Sequence, residues 1–283
     1  MGHLDDQVVL FLNQVVHRWW TLDTLLFLCS SSPLLRGGVT ATLIWWVWFK
    51  QGEQQRRSRE ILLFGIVGCV CAVWLARLVS HLAPFRARPL HNPELNLHLA
   101  EGLSRKLLLG WSSFPSDHAA LFVCLAVCLW LASRKLGIIA TAEVLVVVCL
   151  PRLVLGIHYP SDILGGASIG ASVALLARSA KVRALVTGRA LAWADRSPQL
   201  FYASLFFATY MIGVVFDPLV PLFSWAAVVI RTASSRMNAL VGVFSVSLEW
   251  IPAAAFLLVF ATLMVFTIGS VRLGRSSHHA PLK

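Results

Sequence analysis

Charge is what this sequence has least of. Only 13% of its 283 residues are charged, and acidic groups are the rarer kind, 13 Asp+Glu against 24 Lys+Arg. That is about half the charged share of a soluble domain. It excludes a disordered chain and nearly excludes a soluble enzyme, because too few polar groups exist to cover a water-facing surface. Cysteine is sparse too. Cys29, Cys69, Cys71, Cys124, Cys128 and Cys149 all lie in or beside apolar segments, with no metal-ligand spacing, and read as small buried fillers. A disulfide-stapled secreted module is therefore excluded. Weak alternating segments of about ten residues, the mark of a membrane barrel, are absent. What the chain does have is apolar length: 58% hydrophobic residues and a mean hydropathy of +0.75. The expected class is all-α, a polytopic transmembrane helical bundle. The acidic start, Met1-Gly2-His3-Leu4-Asp5-Asp6, does not read as a cleavable signal peptide, and Asp6 stands where a myristoylation signal needs Ser or Thr.

Eight apolar segments meet or approach the span criterion, near 8–30, 34–49, 61–83, 115–132, 137–157, 161–177, 199–216 and 250–270. The first is interrupted by His17, Arg18 and Asp23, with Trp19 and Trp20 as interfacial anchors. The second ends in Trp45-Trp46-Val47-Trp48, which reads as an aromatic belt. The stretch 219–245 is apolar but broken by Arg231 and Arg236, and reads as interfacial or re-entrant. The organisation expected is N-terminal membrane helices (1–59), a core bearing the chemical motifs (60–178), a basic connector (179–198), a C-terminal transmembrane extension (199–271) and a tail (272–283).

The net charge of +11 is concentrated between apolar runs, which points to topology signals and anionic headgroups rather than nucleic acid. Lys50, Arg56, Arg57, Arg59, Arg134, Lys135 and the 178–196 group fall at one set of segment ends, with Arg272, Arg275 and Lys283. Arg36, Arg86, Arg88, Arg105, Lys106, Arg231 and Arg236 fall at the other. The positive-inside rule makes the first side cytoplasmic. The long polar connection 84–113 then faces away from the cytoplasm, where long loops on rigid scaffolds tend to carry function.

Three ionisable clusters share that side. They are Arg77-x3-His81-x4-Arg86-x-Arg88-Pro89, then Phe114-Pro115-Ser116-Asp117-His118, then Arg152-x5-His158-Tyr159-Pro160-Ser161-Asp162. Charges at span ends are costly, so each is a functional candidate. Arg88 and Arg152 can fork onto a tetrahedral oxyanion. Pro115-Ser116-Asp117-His118 reads as a helix start, whose free N–H groups face an anion. Of the two histidines, one can attack phosphorus while the other moves the leaving-group proton. Asp162, four residues after His158, can accept its imidazole N–H and hold the tautomer. No carboxylate cluster suits magnesium and no Cys/His spacing suits zinc, so no metal or other cofactor is expected. Taken singly each feature has a bland reading: a helix cap, a snorkelling arginine, a polar histidine. Their coincidence on one face outweighs this. His3, His17, His91, His98, His278 and His279 read as solvated.

These clusters resemble the signature of the type 2 phosphatidic acid phosphatase superfamily: Lys-x6-Arg-Pro, Pro-Ser-Gly-His and Ser-Arg-x5-His-x3-Asp. Here they appear as His81-x6-Arg88-Pro89, Pro115-Ser116-Asp117-His118 and Pro151-Arg152-x5-His158-x3-Asp162, over roughly residues 60–175. His81 replaces Lys, Asp117 replaces Gly and Pro151 replaces Ser. Phe-Pro-Ser-Asp-His, together with Leu155-Gly156-Ile157-His158-Tyr159-Pro160-Ser161-Asp162, is similar to the branch acting on undecaprenyl diphosphate. The resemblance implies a six-helix phosphatase core plus about two additional C-terminal transmembrane helices. It implies His158 as nucleophile forming a phosphohistidine, Asp162 as its partner and His118 as acid and then base. Arg88, Arg152, Ser116, Asp117 and His81 would be placed at the phosphate, with Arg77 and Arg86 as auxiliaries.

The expectation is an integral membrane lipid phosphatase of a bacterial inner membrane, with its site on the extracytoplasmic side and undecaprenyl diphosphate as the preferred substrate. Rival readings are a phosphotransferase passing phosphate to a second lipid such as lipid A, a phosphatidate or phosphatidylglycerophosphate phosphatase, and a non-enzymatic protein that only binds anionic lipid.

Overall fold

The structure, a computed structural model, describes residues 2–214. The expected stretches 219–245 and 250–270, most of the C-terminal extension and the tail lie outside the described residues. The described chain is helical, with no strand. Its helices are α1 (Gly2–Asn13), α2 (Trp20–Ser31), α3 (Leu34–Phe49), α4 (Gln55–Leu82), α5 (Asp117–Ala132), α6 (Arg134–Val154), α7 (Pro160–Arg178), α8 (Ala180–Arg196) and α9 (Pro198–Gly213). α4, α6 and α7 are long and apolar enough to cross a membrane.

The first apolar segment is not one span. The first helix ends at Asn13, and His17, at a left-handed φ of 67°, turns the chain before α2. The buried Asp23 carboxylate accepts the His17 N–H at 3.0 Å, which fixes the turn between α1 and α2. The basic connector also differs from expectation, because 180–196 is itself helical. Ser179 caps it by accepting the Val182 N–H. Arg183 is buried, where it reaches the Ala177 carbonyl at 2.7 Å and the Glu60 carboxylate at 3.3 Å. The tryptophan run is divided as well. Trp46 is exposed, whereas Trp48 is fully buried and stacks on Phe201 of α9 with ring centres 5.6 Å apart.

Two helices contain a π-turn: α3 over Leu34–Gly38 and α6 over Val144–Cys149. In α6 the cause is Pro151. It lacks an N–H and its ring crowds the carbonyl four residues back, so an α-helical ladder cannot run through it. The wider turn absorbs the conflict, with Leu150 N–H donating to Leu145 O.

α5 and α7 form the centre of the packing. A Cβ added at Gly166 would stand 2.1 Å from the Ser116 carbonyl oxygen, and one at Gly170 would stand 2.2 Å from that of Ala120. This small-x3-small stripe lets the two backbones touch. It also fixes the start of α5 against the start of α7, and the two histidines of interest lie at those two starts.

Candidate active site

His158 lies in the turn between α6 and α7, outside the spanning segments, and is only 3% exposed. Gly156, at φ 68°, makes the reversal that brings it there, and its carbonyl accepts the Leu90 N–H at 2.8 Å. That bond ties the Arg88-Pro89-Leu90 segment to the histidine turn. His158 Nδ1 lies 2.9 Å from the Ser113 carbonyl oxygen and 3.6 Å from Asp162 Oδ2. A carbonyl can only accept, so Nδ1 carries the proton and Nε2 presents its lone pair. Arg88 Nη1 stands 3.2 Å from that Nε2. Burial, the largest influence, pushes the His158 pKa below its ordinary value; Arg88 acts in the same direction and the nearby carboxylates oppose it. The result is a neutral imidazole of fixed tautomer.

Asp162 is fully buried and has many partners. Oδ2 accepts from Ser113 Oγ at 2.5 Å and from Tyr159 N–H at 2.7 Å, the latter closing the first turn of α7 as a capping box. Oδ1 accepts from Arg86 Nη1 at 2.8 Å. Ser113 therefore shares with Asp162 the work of holding His158.

His118 stands in the first turn of α5, after Ser116, whose hydroxyl caps the helix by accepting the Ala119 N–H. Its Nδ1 lies 2.8 Å from Asp117 Oδ1 and its Nε2 lies 3.1 Å from Arg36 Nη1. Asp117 Oδ2 is 3.6 Å from Arg77 Nη2. The Asp117 carboxylate thus engages the neighbouring imidazole and a guanidinium. An ionised carboxylate can only accept hydrogen bonds, so these contacts make it the partner of His118 rather than a ligand of phosphate.

The arginines complete the cluster. Arg88 is buried, donates through Nη1 to the Ile157 carbonyl at 2.9 Å, and has an Nε that is buried without a hydrogen-bond partner. Burial pushes its guanidinium below the ordinary value, opposed by Asp117 and Asp162. Arg152 is buried with Nη1 on the Val148 carbonyl at 2.7 Å, and it interacts electrostatically with Arg36, Arg88 and Asp117. Three buried guanidinium groups that feel one another repel, and a multiply charged oxyanion relieves that repulsion.

The remaining expected residues are placed differently. His81 sits exposed in the last turn of α4. Arg77 pairs with Asp117 and stands over the Trp111 ring at 5.8 Å. Arg86 bonds Ser161 Oγ at 2.6 Å, Asp162, and Asp5 Oδ2 at 2.6 Å, so it braces the start of α7. Asp5 in turn accepts from Ser161 N–H at 3.1 Å and Ser161 Oγ at 2.5 Å. Burial raises the Asp5 carboxyl, but these bonds outweigh it and hold the group below its ordinary value.

Sequence reasoning missed Asp5, Arg36 and Ser113. Arg36 carried one available signal, a charge inside an apolar stretch. Ser113 acts on His158 through its main-chain carbonyl, which no side-chain pattern encodes.

Residues 85–184 match the PAP2 superfamily, so the chain carries a domain of that superfamily. Over 125 residues it is 33% identical to the decaprenylphosphoryl-5-phosphoribose phosphatase of two Mycobacterium tuberculosis strains. That match covers 44% of this chain and spans 63% of the length of those curated relatives. No solved structure matches the chain.

Proposed function

We propose that the chain is an integral membrane phosphatase that hydrolyses a polyprenyl-linked phosphate or diphosphate through a phosphohistidine intermediate. One observation carries this: each of two imidazoles has its Nδ1 held by an oxygen acceptor and its Nε2 facing a guanidinium. That is the arrangement for attack on phosphorus from one side and proton delivery on the other. The match to the PAP2 superfamily and the phosphatase relatives support the same reaction class.

In the first step the His158 Nε2 lone pair forms a bond to phosphorus and the P–O bond to the leaving group breaks. Arg88, Arg152 and the start of α5 hold the equatorial oxygens, where charge develops. His118, with its Nδ1–H held by Asp117, carries a proton on Nε2 once the substrate draws Arg36 away from that nitrogen, and gives that proton to the departing oxygen. The phosphohistidine cation forms 3.6 Å from the Asp162 carboxylate, which neutralises it. In the second step His118 takes a proton from water, the water oxygen bonds to phosphorus, and the N–P bond breaks. Inorganic phosphate leaves and both imidazoles return to their first state.

Undecaprenyl diphosphate is the first choice of substrate, and a polyprenyl-phosphate sugar like the one named for the relatives is its nearest competitor. The charge bias between segment ends supports a site on the extracytoplasmic face of a bacterial inner membrane. The test is phosphate release from undecaprenyl diphosphate, phosphatidate, phosphatidylglycerophosphate and lipid A by purified protein, beside trapping of ³²P on the chain. Labelled phosphate on wild type but not on His158→Ala is the expected result. Release without a labelled intermediate would overturn the mechanism, and no release from any lipid would overturn the function.

A further inference from the structure

Arg36 lies outside the matched domain and outside all three motifs, yet it touches the proton donor. It is 6% exposed. Its Nε reaches the Ser32 carbonyl at 3.4 Å and its Nη2 the Ser31 carbonyl at 3.2 Å. The last carbonyls of α2 therefore grip two edges of the guanidinium and aim Nη1 at His118 Nε2, 3.1 Å away.

The axis of the reaction assigns sides to the arginines. Arg88 stands at the Nε2 that attacks, and Arg36 stands at the Nε2 that protonates the leaving oxygen. Arg152 interacts with both. In-line displacement keeps the attacking nitrogen and the leaving oxygen on opposite sides of phosphorus. Arg36 is thus on the leaving-group side, where a second phosphate would accept from its Nη1 a stronger, charge-assisted bond than an alcohol oxygen can. Leu34 and Leu35, which immediately precede Arg36, line an open apolar groove of about 310 Å³ with Val39 and Leu43. A prenyl chain attached to that second phosphate would have an apolar wall beside it.

We propose that Arg36 binds a second phosphate carried by the leaving group, and so makes the enzyme selective for substrates with two phosphoryl groups over simple phosphomonoesters. This rests on the phosphatase reading above and names its substrate class. Undecaprenyl diphosphate fits, as does the kind of molecule named for the relatives, whose name contains two phosphoryl groups.

The test compares geranylgeranyl diphosphate with geranylgeranyl monophosphate, which share a tail and differ by one phosphate. Arg36→Gln is expected to lower kcat/KM for the diphosphate by about 10- to 100-fold, the range for a hydrogen bond to a charged group. Arg36 also touches His118, so the monophosphate loses rate as well, and the expected signature is a loss at least about tenfold larger on the diphosphate, the least expected of a hydrogen bond to a charged group. Arg36→Lys, which keeps the charge but not the fork, should fall between. Equal losses on both substrates, or none, would overturn the proposal. A measurement on the unmodified enzyme guards against a variant that fails to fold. Methylenediphosphonate must inhibit monophosphate hydrolysis more tightly than inorganic phosphate does, and equal inhibition overturns the proposal. An unmodified enzyme that releases phosphate from neither lipid defeats the phosphatase reading itself, an outcome distinct from loss of selectivity.

Discussion

His158 and His118 are the same side chain held in two different ways. The first is almost sealed, and its Nδ1 meets an uncharged main-chain carbonyl; its carboxylate stands back at 3.6 Å. The second is 19% exposed at its side chain, and its Nδ1 meets a carboxylate directly at 2.8 Å. A carbonyl fixes a tautomer without favouring the cation, which suits a nucleophile that must keep a free lone pair. A carboxylate in contact favours the cation, which suits a group that must gain and lose a proton. The environment of each ring is the ground for the role proposed for it.

Substitutions can break that contrast, beginning with the largest effect. His158→Ala should remove turnover, by more than about 10⁴-fold, because no other group can form the intermediate; phosphate release and retained helicity in detergent check it. Asp162→Ala should act chiefly on the fold. It strips the buried Ser113 hydroxyl and Tyr159 N–H of their acceptor, at about 1–3 kcal/mol for each group, while Arg86 keeps Asp5; a lowered melting temperature in detergent reads the loss. His118→Ala should lose about 10²–10⁴-fold with an alkyl phosphate. The loss should shrink with a p-nitrophenyl leaving group, which needs no proton; an undiminished loss would remove His118 from the acid role.

Asp117→Asn should follow with a smaller loss of the same kind, since the ring remains but its cation loses support. The smallest effect is on pH. The His158 pKa is depressed, so the neutral form persists until pH falls through a value under 6.5. The acid limb of kcat/KM should therefore lie below 6.5. Stability should drop over the same interval, because the unfolded chain takes up a proton there and the folded one does not. An acid limb above 6.5 would contradict the burial of the nucleophile.

The helices that carry the motifs were legible because apolar length and end signals coincide. The expected 115–132, 137–157 and 161–177 segments correspond to α5, α6 and α7, and the Ser116 cap and the Pro160 first turn were visible as residue types. Arg88, Ser116, His118, Arg152, His158 and Asp162 come from three sequence-local patterns, and the fold brings them to one end of the bundle. What stayed hidden was long-range. Asp5 and Arg36 reach the site from the first 59 residues, 156 positions from Ser161 and 82 from His118. Arg36 is marked only as a charge inside an apolar stretch, and nothing in the neighbourhood of Asp5 marks it. The exchange of roles at Asp117, from a place at the phosphate to partner of His118, depends on rotamers of adjacent residues. The helix over 180–196 was masked by its basic composition, since its stability comes from the Ser179 cap and the burial of Arg183.

The bond between Asp5 and Ser161 joins α1 to the start of α7, beside the nucleophile and 156 residues further along the chain. During synthesis Arg86 emerges 76 residues before its counter-ion Asp162, whereas Asp5 is already made, so the residues of α1 can escort it until α7 is inserted. Trimming them, or fusing a bulky tag against them, would disturb a site whose residues lie far downstream.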